Sequence, residues 1–76
     1  MNKDRRKRLA EIEGKLEELK DQLEAIRAEE EEAFDNLPES IQDGEKGQNI
    51  DANREALEQA VDSLDESLNA IRQADN

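Results

Sequence analysis

The side chains of this 76-residue chain that could do chemistry are carboxylates, a few basic groups and the hydroxyls of three serines. Cysteine and histidine are absent from the sequence, which excludes thiol nucleophiles, imidazole acid–base catalysis and the usual zinc ligands. No base accompanies Ser40, Ser63 or Ser67 in a pattern that could activate a serine hydroxyl. The sequence therefore predicts a binding protein and not an enzyme, with no cofactor and no metal ion.

The densest group of possible ligands is acidic. Eight acids and no base fall between residues 29 and 45: Glu29, Glu30, Glu31, Glu32, Asp35, Glu39, Asp43 and Glu45. The segment that starts at Asp43 does not match a calcium-binding loop. Gln48 occupies the position at which such a loop needs glycine, and Arg54 the position at which it needs a bidentate glutamate. We interpret the segment as a solvated surface or as an acidic surface that fits the basic groove of another protein.

The turn that connects the two long periodic segments contains the only aromatic residue, the only proline and two aliphatic residues. In one interpretation Phe34, Leu37, Ile41 and Ile50 cap the end of the fold, and Gly47 makes room for the ring. In the other, this tip displays a binding site, as loops on rigid scaffolds often do. The candidate ligand or partner residues are Phe34, Asn36, Ser40, Gln42, Lys46 and Arg54.

The amino-terminal end carries the opposite charge. Five of the eleven basic residues lie together: Lys3, Arg5, Arg6, Lys7 and Arg8. Positive charge at a helix start opposes the helix dipole, so another group should compensate for it. That group is either the end of the second helix, with Asp75 and the chain carboxylate, or an acidic partner or phosphate. The net charge of −11 argues against general binding to nucleic acid or to an anionic membrane.

The elements that position these groups follow from composition and period. Leu, Ile, Val and Phe supply only 15 residues, but Ala, Glu, Lys, Leu and Arg supply 42, which is typical of long helices. Large apolar residues then alternate in steps of three and four, forming a first seam: Leu9, Ile12, Leu16, Leu19, Leu23 and Ile26. This heptad pattern predicts a helix over residues 3–36, capped by Asn2 or Asp4.

A second seam predicts another helix over residues 44–74, after a tip at 37–43. Its members are Ile50, Leu57, Val61, Leu64, Leu68 and Ile71, with Arg54 in one slot. Two such helices joined by a short tip must fold back on each other. We expect a single all-α domain over residues 1–76, an antiparallel two-helix coiled-coil hairpin about 45 Å long.

Two charged residues fall on seam positions and should lie close together in this hairpin. Glu30 and Arg54 are expected to form a half-buried pair that fixes the register of the helices. Alternatively, Arg54 together with Arg27 and Lys46 forms a cationic spot for an anion or a partner carboxylate.

The second helix also carries a stripe of small residues, here called the small stripe. Its members are Ala56, Ala60, Ser63, Ser67, Ala70 and Ala74. Such a stripe is either an ordinary helix surface or a contact for close packing. Because one seam buries little for a chain of this size, we predict self-association into a helical bundle, with the second helices touching along the small stripe. A homodimer is the simplest form, and a larger closed oligomer is the alternative.

The tip resembles that of a group of short acidic helical-hairpin proteins encoded by phages and bacterial genomes. The similarity lies in the run Phe34–Gln42 with its Asn-Leu-Pro-Glu-Ser core, in Glu-Lys-Gly at 45–47 and in the Leu-Asp-Glu-Ser-Leu of the second helix. The resemblance implies a non-enzymatic phage or prophage protein that blocks or sequesters a host factor.

Three functions compete at this stage. The first is an oligomeric binding protein that inhibits or sequesters a host defence or regulatory protein. The second is a small-ligand sponge that traps a nucleotide-like signal between hairpins near the tip, and the third is a structural scaffold or spacer. The sequence predicts neither a secretory nor a transmembrane segment, and we expect a cytoplasmic location.

Overall fold

A computed structural model describes residues 1–74, which form three helices and no strand. Helix α1 spans Lys3–Asp35, the short helix α2 spans Glu39–Gln42, and helix α3 spans Glu45–Ala74. Helix α1 packs along α3, and α2 packs on α3 at the turn. The helical hairpin predicted from the two seams is confirmed.

The start and end of α1 have local causes. At the start, the side-chain Oδ1 of Asn2 accepts a hydrogen bond from the backbone N–H of Arg5 at 2.8 Å, so Asn2 is the N-cap. At the end, Pro38 forces the chain out of helical geometry. The carbonyl of Pro38 then accepts hydrogen bonds from the N–H groups of Ile41 and Gln42, which form the single turn of α2.

The hairpin is a thin rod. Its principal extents are 59 × 15 × 11 Å, and its radius of gyration is 17.3 Å, against about 11 Å for a compact domain of this length. The rod exceeds the predicted length because α1 alone has 33 residues and the tip adds to it. Among the residues described, only Val61 and Leu68 are buried apolar side chains. None of the three helices is both long enough and apolar enough to cross a membrane.

The first seam does not pack as one unit. Leu9, Leu16 and Leu23 are half-buried, but the other members face solvent. Those others are Ile12, Leu19 and Ile26, with 46, 51 and 47% of their surface exposed. A helix with a single neighbour can cover only one side of a heptad seam. Here the covered side is completed by half-buried charged residues one position further along: Glu13, Lys20 and Arg27.

Candidate functional site

The side chain of Gln42 forms hydrogen bonds within the tip. Its side-chain amide Nε2 donates hydrogen bonds to the carbonyl oxygens of Phe34 and Leu37, at 3.2 and 3.1 Å. Carbonyls at a helix C-terminus lack intrahelical partners, so Gln42 caps the end of α1 from across the turn. This candidate binding residue therefore has an internal role, and its amide hydrogens point into the tip.

At Gly47, helix α3 packs tightly against the turn. The residue is buried, and a Cβ atom placed on it would lie 2.0 Å from the carbonyl oxygen of Gln42 and 2.7 Å from its Cα. The prediction that Gly47 makes room for the Phe34 ring is wrong, because the space is taken by the backbone of Gln42. The glycine allows two backbones to pass each other, a contact that no side chain fits.

Arg54 lies over the ring of Phe34, with its Cζ atom 5.2 Å from the ring centroid. Its guanidinium group pairs with Asp51 on the same helix and with Glu31 of α1, the latter at 3.8 Å. A guanidinium over an aromatic face is a cation–π contact. The expected cationic spot is therefore neutralised by carboxylates of the chain itself, and Glu31 is also 3.5 Å from Arg27.

The predicted pairing of Glu30 with Arg54 is wrong. Arg54 turns to the side of the hairpin on which Glu31 lies, one residue and about 100° further round α1. Glu30 instead lines a groove together with Ile26, Asn53, Ala56 and Leu57. Within residues 1–74 the Glu30 carboxylate, half-buried in that groove, forms no ion pair.

The remaining candidates at the tip are exposed. Asn36 ends α1, and its backbone N–H bonds to the carbonyls of Glu32 and Phe34, while its side chain faces solvent. Ser40 on α2 and Lys46 on α3 are also exposed. The structure thus brings Phe34, Gln42 and Arg54 into the packing of the tip and leaves Asn36, Ser40 and Lys46 on its surface.

The shaft of the hairpin is the part in which α1 and α3 lie side by side. One of its sides, here called the ion-pair flank, carries ion pairs between the two helices. Lys20 Nζ lies 2.6 Å from Asp65 Oδ1, and Arg72 bridges to both Glu13 and Glu17. The hydrogen bond to Asp65 raises the pKa of Lys20, and the hydrogen bond to Glu13 raises the pKa of Arg72. The pairs run in opposite order along the two helices, as an antiparallel hairpin requires.

The other side of the shaft, here called the open flank, consists of an apolar stripe on α1 and the small stripe on α3. The apolar stripe is the exposed half of the first seam, Ile12, Leu19 and Ile26. Each residue of the stripe directly precedes a charged residue of the covered side, so it is rotated by about 100° around α1. The groove that joins Ile26 to Ala56 and Leu57 places both stripes on the same flank.

Two shallow grooves lie along the open flank. One, of about 280 Å³, is at the amino-terminal end and is lined by Met1, Arg5, Arg8, Leu9 and Ile12. The other, of about 260 Å³, is the Glu30 groove near the tip. In the small stripe only Ala60 is half-buried, and its other members are exposed in the single hairpin.

The basic run at the amino-terminus is exposed throughout. Arg8 pairs with Asp4 at 3.1 Å, and the others form no ion pair within residues 1–74. The predicted compensation by Asp75 and the chain carboxylate lies outside the described residues. In the acidic segment the ion pairs of the described chain involve Glu31 alone. The rod is therefore positive at one end and strongly negative at the other.

No group of three or more acidic residues in the described chain is arranged to hold a metal ion. No protein-family model, curated protein or solved structure matches the chain. The function is therefore inferred from the geometry of the hairpin.

Sequence reasoning missed the division of the shaft into two flanks. The available signal was the charged residue that follows each member of the apolar stripe, since Glu13, Lys20 and Arg27 recur every seven residues. A charged residue at that position of a heptad often pairs across helices. That pattern could have shown which side of the first seam faces α3.

Proposed function

We propose that the protein is a non-enzymatic binding protein that self-associates and inhibits or sequesters another protein through its acidic tip. The resemblance of the tip to phage-encoded hairpins makes a host defence or regulatory factor the expected target. The observation that carries the proposal is the lack of compensation at the tip, where Glu29, Glu32, Asp35, Glu39 and Glu45 are exposed and form no ion pair within residues 1–74.

Unpaired negative charge concentrated at one end of the rod favours binding of a positively charged partner. Carboxylates held on helices cannot relax away from one another, so the tip keeps a negative potential that attracts a basic protein surface. The packing of Gln42, Gly47 and Arg54 holds the tip in one shape. A fixed shape lowers the entropy cost of binding.

Self-association is supported by the open flank. About half of the surface of Ile12, Leu19 and Ile26 is exposed, and the single hairpin buries only two apolar side chains among its described residues. A second surface that covers these residues would give the shaft the core that one chain lacks.

The test of the acidic tip compares two charge-reduced variants of equal net charge. The tip variant carries Glu29→Gln, Glu32→Gln, Asp35→Asn and Glu39→Gln. The shaft variant neutralises exposed acids away from the tip, by Glu11→Gln, Glu18→Gln, Glu58→Gln and Asp62→Asn. Each protein is immobilised, exposed to bacterial extract and eluted with salt, and any protein held by the natural chain is purified for calorimetry.

We expect the tip variant to bind the purified partner at least about tenfold more weakly, and the shaft variant to stay within about threefold of the natural chain. Binding should also weaken between about 0.05 M and 0.3 M salt as the charges are screened. Equal loss in both variants would mean that only net charge matters, which would contradict a tip site.

The small-ligand alternative has less support. Two of its candidate groups already have partners, since Gln42 donates to helix carbonyls and Arg54 pairs with Glu31 and Asp51. A thermal shift with cyclic nucleotides or ADP-ribose would favour the sponge, because a ligand bound only by the folded state raises the midpoint. If Asn36→Ala and Ser40→Ala leave every binding activity intact, the tip is only a connector, as the scaffold alternative requires.

A further inference from the structure

We propose that two hairpins pair face to face through the open flank in antiparallel orientation, about a twofold axis at Leu19, so that the tip of each lies beside the amino-terminal end of the other. This arrangement rests on the self-association in the proposed function. It specifies which helices meet and which residues face each other.

The apolar stripe has the symmetry that a twofold axis at Leu19 requires. Ile12 and Ile26 each lie seven residues from Leu19. When α1 is laid antiparallel on a copy of itself about Leu19, that residue meets its own copy and Ile12 meets the partner's Ile26. A twofold interface requires such self-complementarity, in which one residue contacts a second and the second contacts the first.

The charges at the two ends of the hairpin favour the same orientation. The same overlay places Arg8 opposite the partner's Glu30, and it brings the basic amino-terminal end of each hairpin beside the acidic end of the other's α1. A twofold axis along the rod would instead place the two acidic tips side by side and the two basic runs side by side. Like charges at close range are repulsive, so the antiparallel pairing is favoured.

The twofold rotation places the amino-terminal groove of one chain, lined by Arg5, Arg8 and Ile12, over the Glu30 groove of the other. Glu30 is half-buried and forms no ion pair within residues 1–74. In this arrangement the guanidinium of the partner's Arg8 would lie beside the Glu30 carboxylate, and its aliphatic stem would cover apolar atoms of the groove.

The small stripe is symmetric about residue 65, since an antiparallel copy brings Ser63 to Ser67, Ala60 to Ala70 and Ala56 to Ala74. The ion pair between Lys20 and Asp65 at 2.6 Å places this midpoint beside Leu19. One axis therefore serves both helices, with α1 on α1 and α3 on α3, and small residues allow the α3 pair to approach closely.

Disulfide trapping tests the geometry, because the natural chain contains no cysteine. Leu19→Cys should cross-link to its own copy, since both sulfurs lie near the axis. Ile12→Cys and Ile26→Cys should not cross-link alone, because identical residues would lie about 21 Å apart along the rod, but a mixture of the two should. Asp21→Cys is the matched control, since it lies two residues on and about 200° round α1.

Charge reversal tests the pairing of the grooves without relying on a cysteine. Arg8→Glu and Glu30→Arg should each weaken association at least about tenfold in sedimentation equilibrium at low salt. The double variant restores opposite charges across both copies of the contact, so its affinity should return to within about threefold of the natural chain. Circular dichroism of each variant checks that the helices are intact.

The outcomes separate the arrangement from the self-association on which it rests. An oligomer whose Leu19→Cys form stays uncross-linked, or whose double charge variant is no tighter than either single one, would overturn the antiparallel arrangement and leave self-association standing. A natural chain that sediments at 8.7 kDa at every concentration would overturn both. Cross-linking of Leu19→Cys and rescue by the double variant support the arrangement.

Discussion

The tip and the open flank differ in how far a single chain completes them. At the tip, Gln42 caps two carbonyls, Gly47 lets two backbones pass, and Arg54 covers the only ring. On the open flank, Ile12 and its companions expose half of their surface. The tip is stabilised by contacts within one chain, whereas the open flank is the face that the proposed dimer would cover. Changes at the tip should therefore act at every protein concentration, and changes on the flank only when the protein is concentrated.

The largest effect is expected from Gly47→Ala. The added methyl group would lie 2.0 Å from the Gln42 carbonyl oxygen, so α3 must move away from the turn. We expect a loss of about 3 kcal/mol in the free energy of unfolding, measured by urea denaturation. The loss should be similar in dilute and concentrated protein.

Gly14→Ala is the control for that substitution. Gly14 lies within α1 with open space around its Cα atom, so alanine should raise the free energy of unfolding by about 0.5–1 kcal/mol through helix propensity. A gain in stability from Gly47→Ala comparable with that from Gly14→Ala would show that the tight contact at the tip does not exist.

Leu19→Gln should give the next largest effect, and only in concentrated protein. If a partner covers the exposed half of Leu19 in each chain, the change removes about 2 kcal/mol per dimer of apolar burial. The thermal midpoint of the natural chain should rise with concentration, and that of the variant should rise less. Asp21→Asn, on the opposite face of α1, should behave like the natural chain. Equal concentration dependence in all three would contradict a role for the open flank.

Gln42→Ala should have an intermediate effect at the tip. The substitution removes two hydrogen bonds to the carbonyls of Phe34 and Leu37, and we expect a loss of about 1.5 kcal/mol in the free energy of unfolding. Ser40→Ala, on an exposed position two residues earlier, should change the same quantity by less than about 0.5 kcal/mol. An unchanged stability in Gln42→Ala would mean that water caps the helix equally well.

The smallest effect concerns the ion-pair flank at high pH. The pKa of Lys20 is raised by its hydrogen bond to Asp65, so its contribution is fully present below the ordinary lysine pKa of about 10.4 and is lost as the pH rises through the raised value. Lys20→Arg keeps the positive charge in that range. Between about pH 9.5 and pH 11.5 the natural chain should therefore lose slightly more stability than the variant.

The matched comparison removes the titration of the other lysines, which both proteins share. Denaturation in urea at the two pH values provides the measurement. The difference should shrink when salt is added, because both partners are partly exposed to solvent. An identical loss in the two proteins would show that the pair makes no contribution to stability.

The sequence predicted the architecture well because heptad spacing and a proline between two periodic segments leave few alternatives. It could not decide which half of the first seam faces α3, because Leu16 and Leu19 are equally apolar and adjacent on the helix surface. That choice depends on partners distant in sequence, such as Lys20 with Asp65.

At the tip the limits were of another kind. A glutamine in a turn, such as Gln42, is expected to face solvent. Only the folded turn brings its side-chain amide to the end of α1. Glu30 was expected to meet Arg54 from register alone, but one step around the helix places Glu31 there instead. Sequence patterns locate a residue along an element more reliably than they locate its side chain around it.

Because the rod buries so few side chains, the free energy of local unfolding should differ along its length. Protection of backbone amides against hydrogen exchange depends on the free energy needed to expose them locally. Val61 and Leu68, the two buried apolar side chains of the described residues, lie in the middle and second half of α3. Exchange should therefore be slowest there and faster toward the amino-terminal turns of α1, so proteases would first reach the end that carries the basic run.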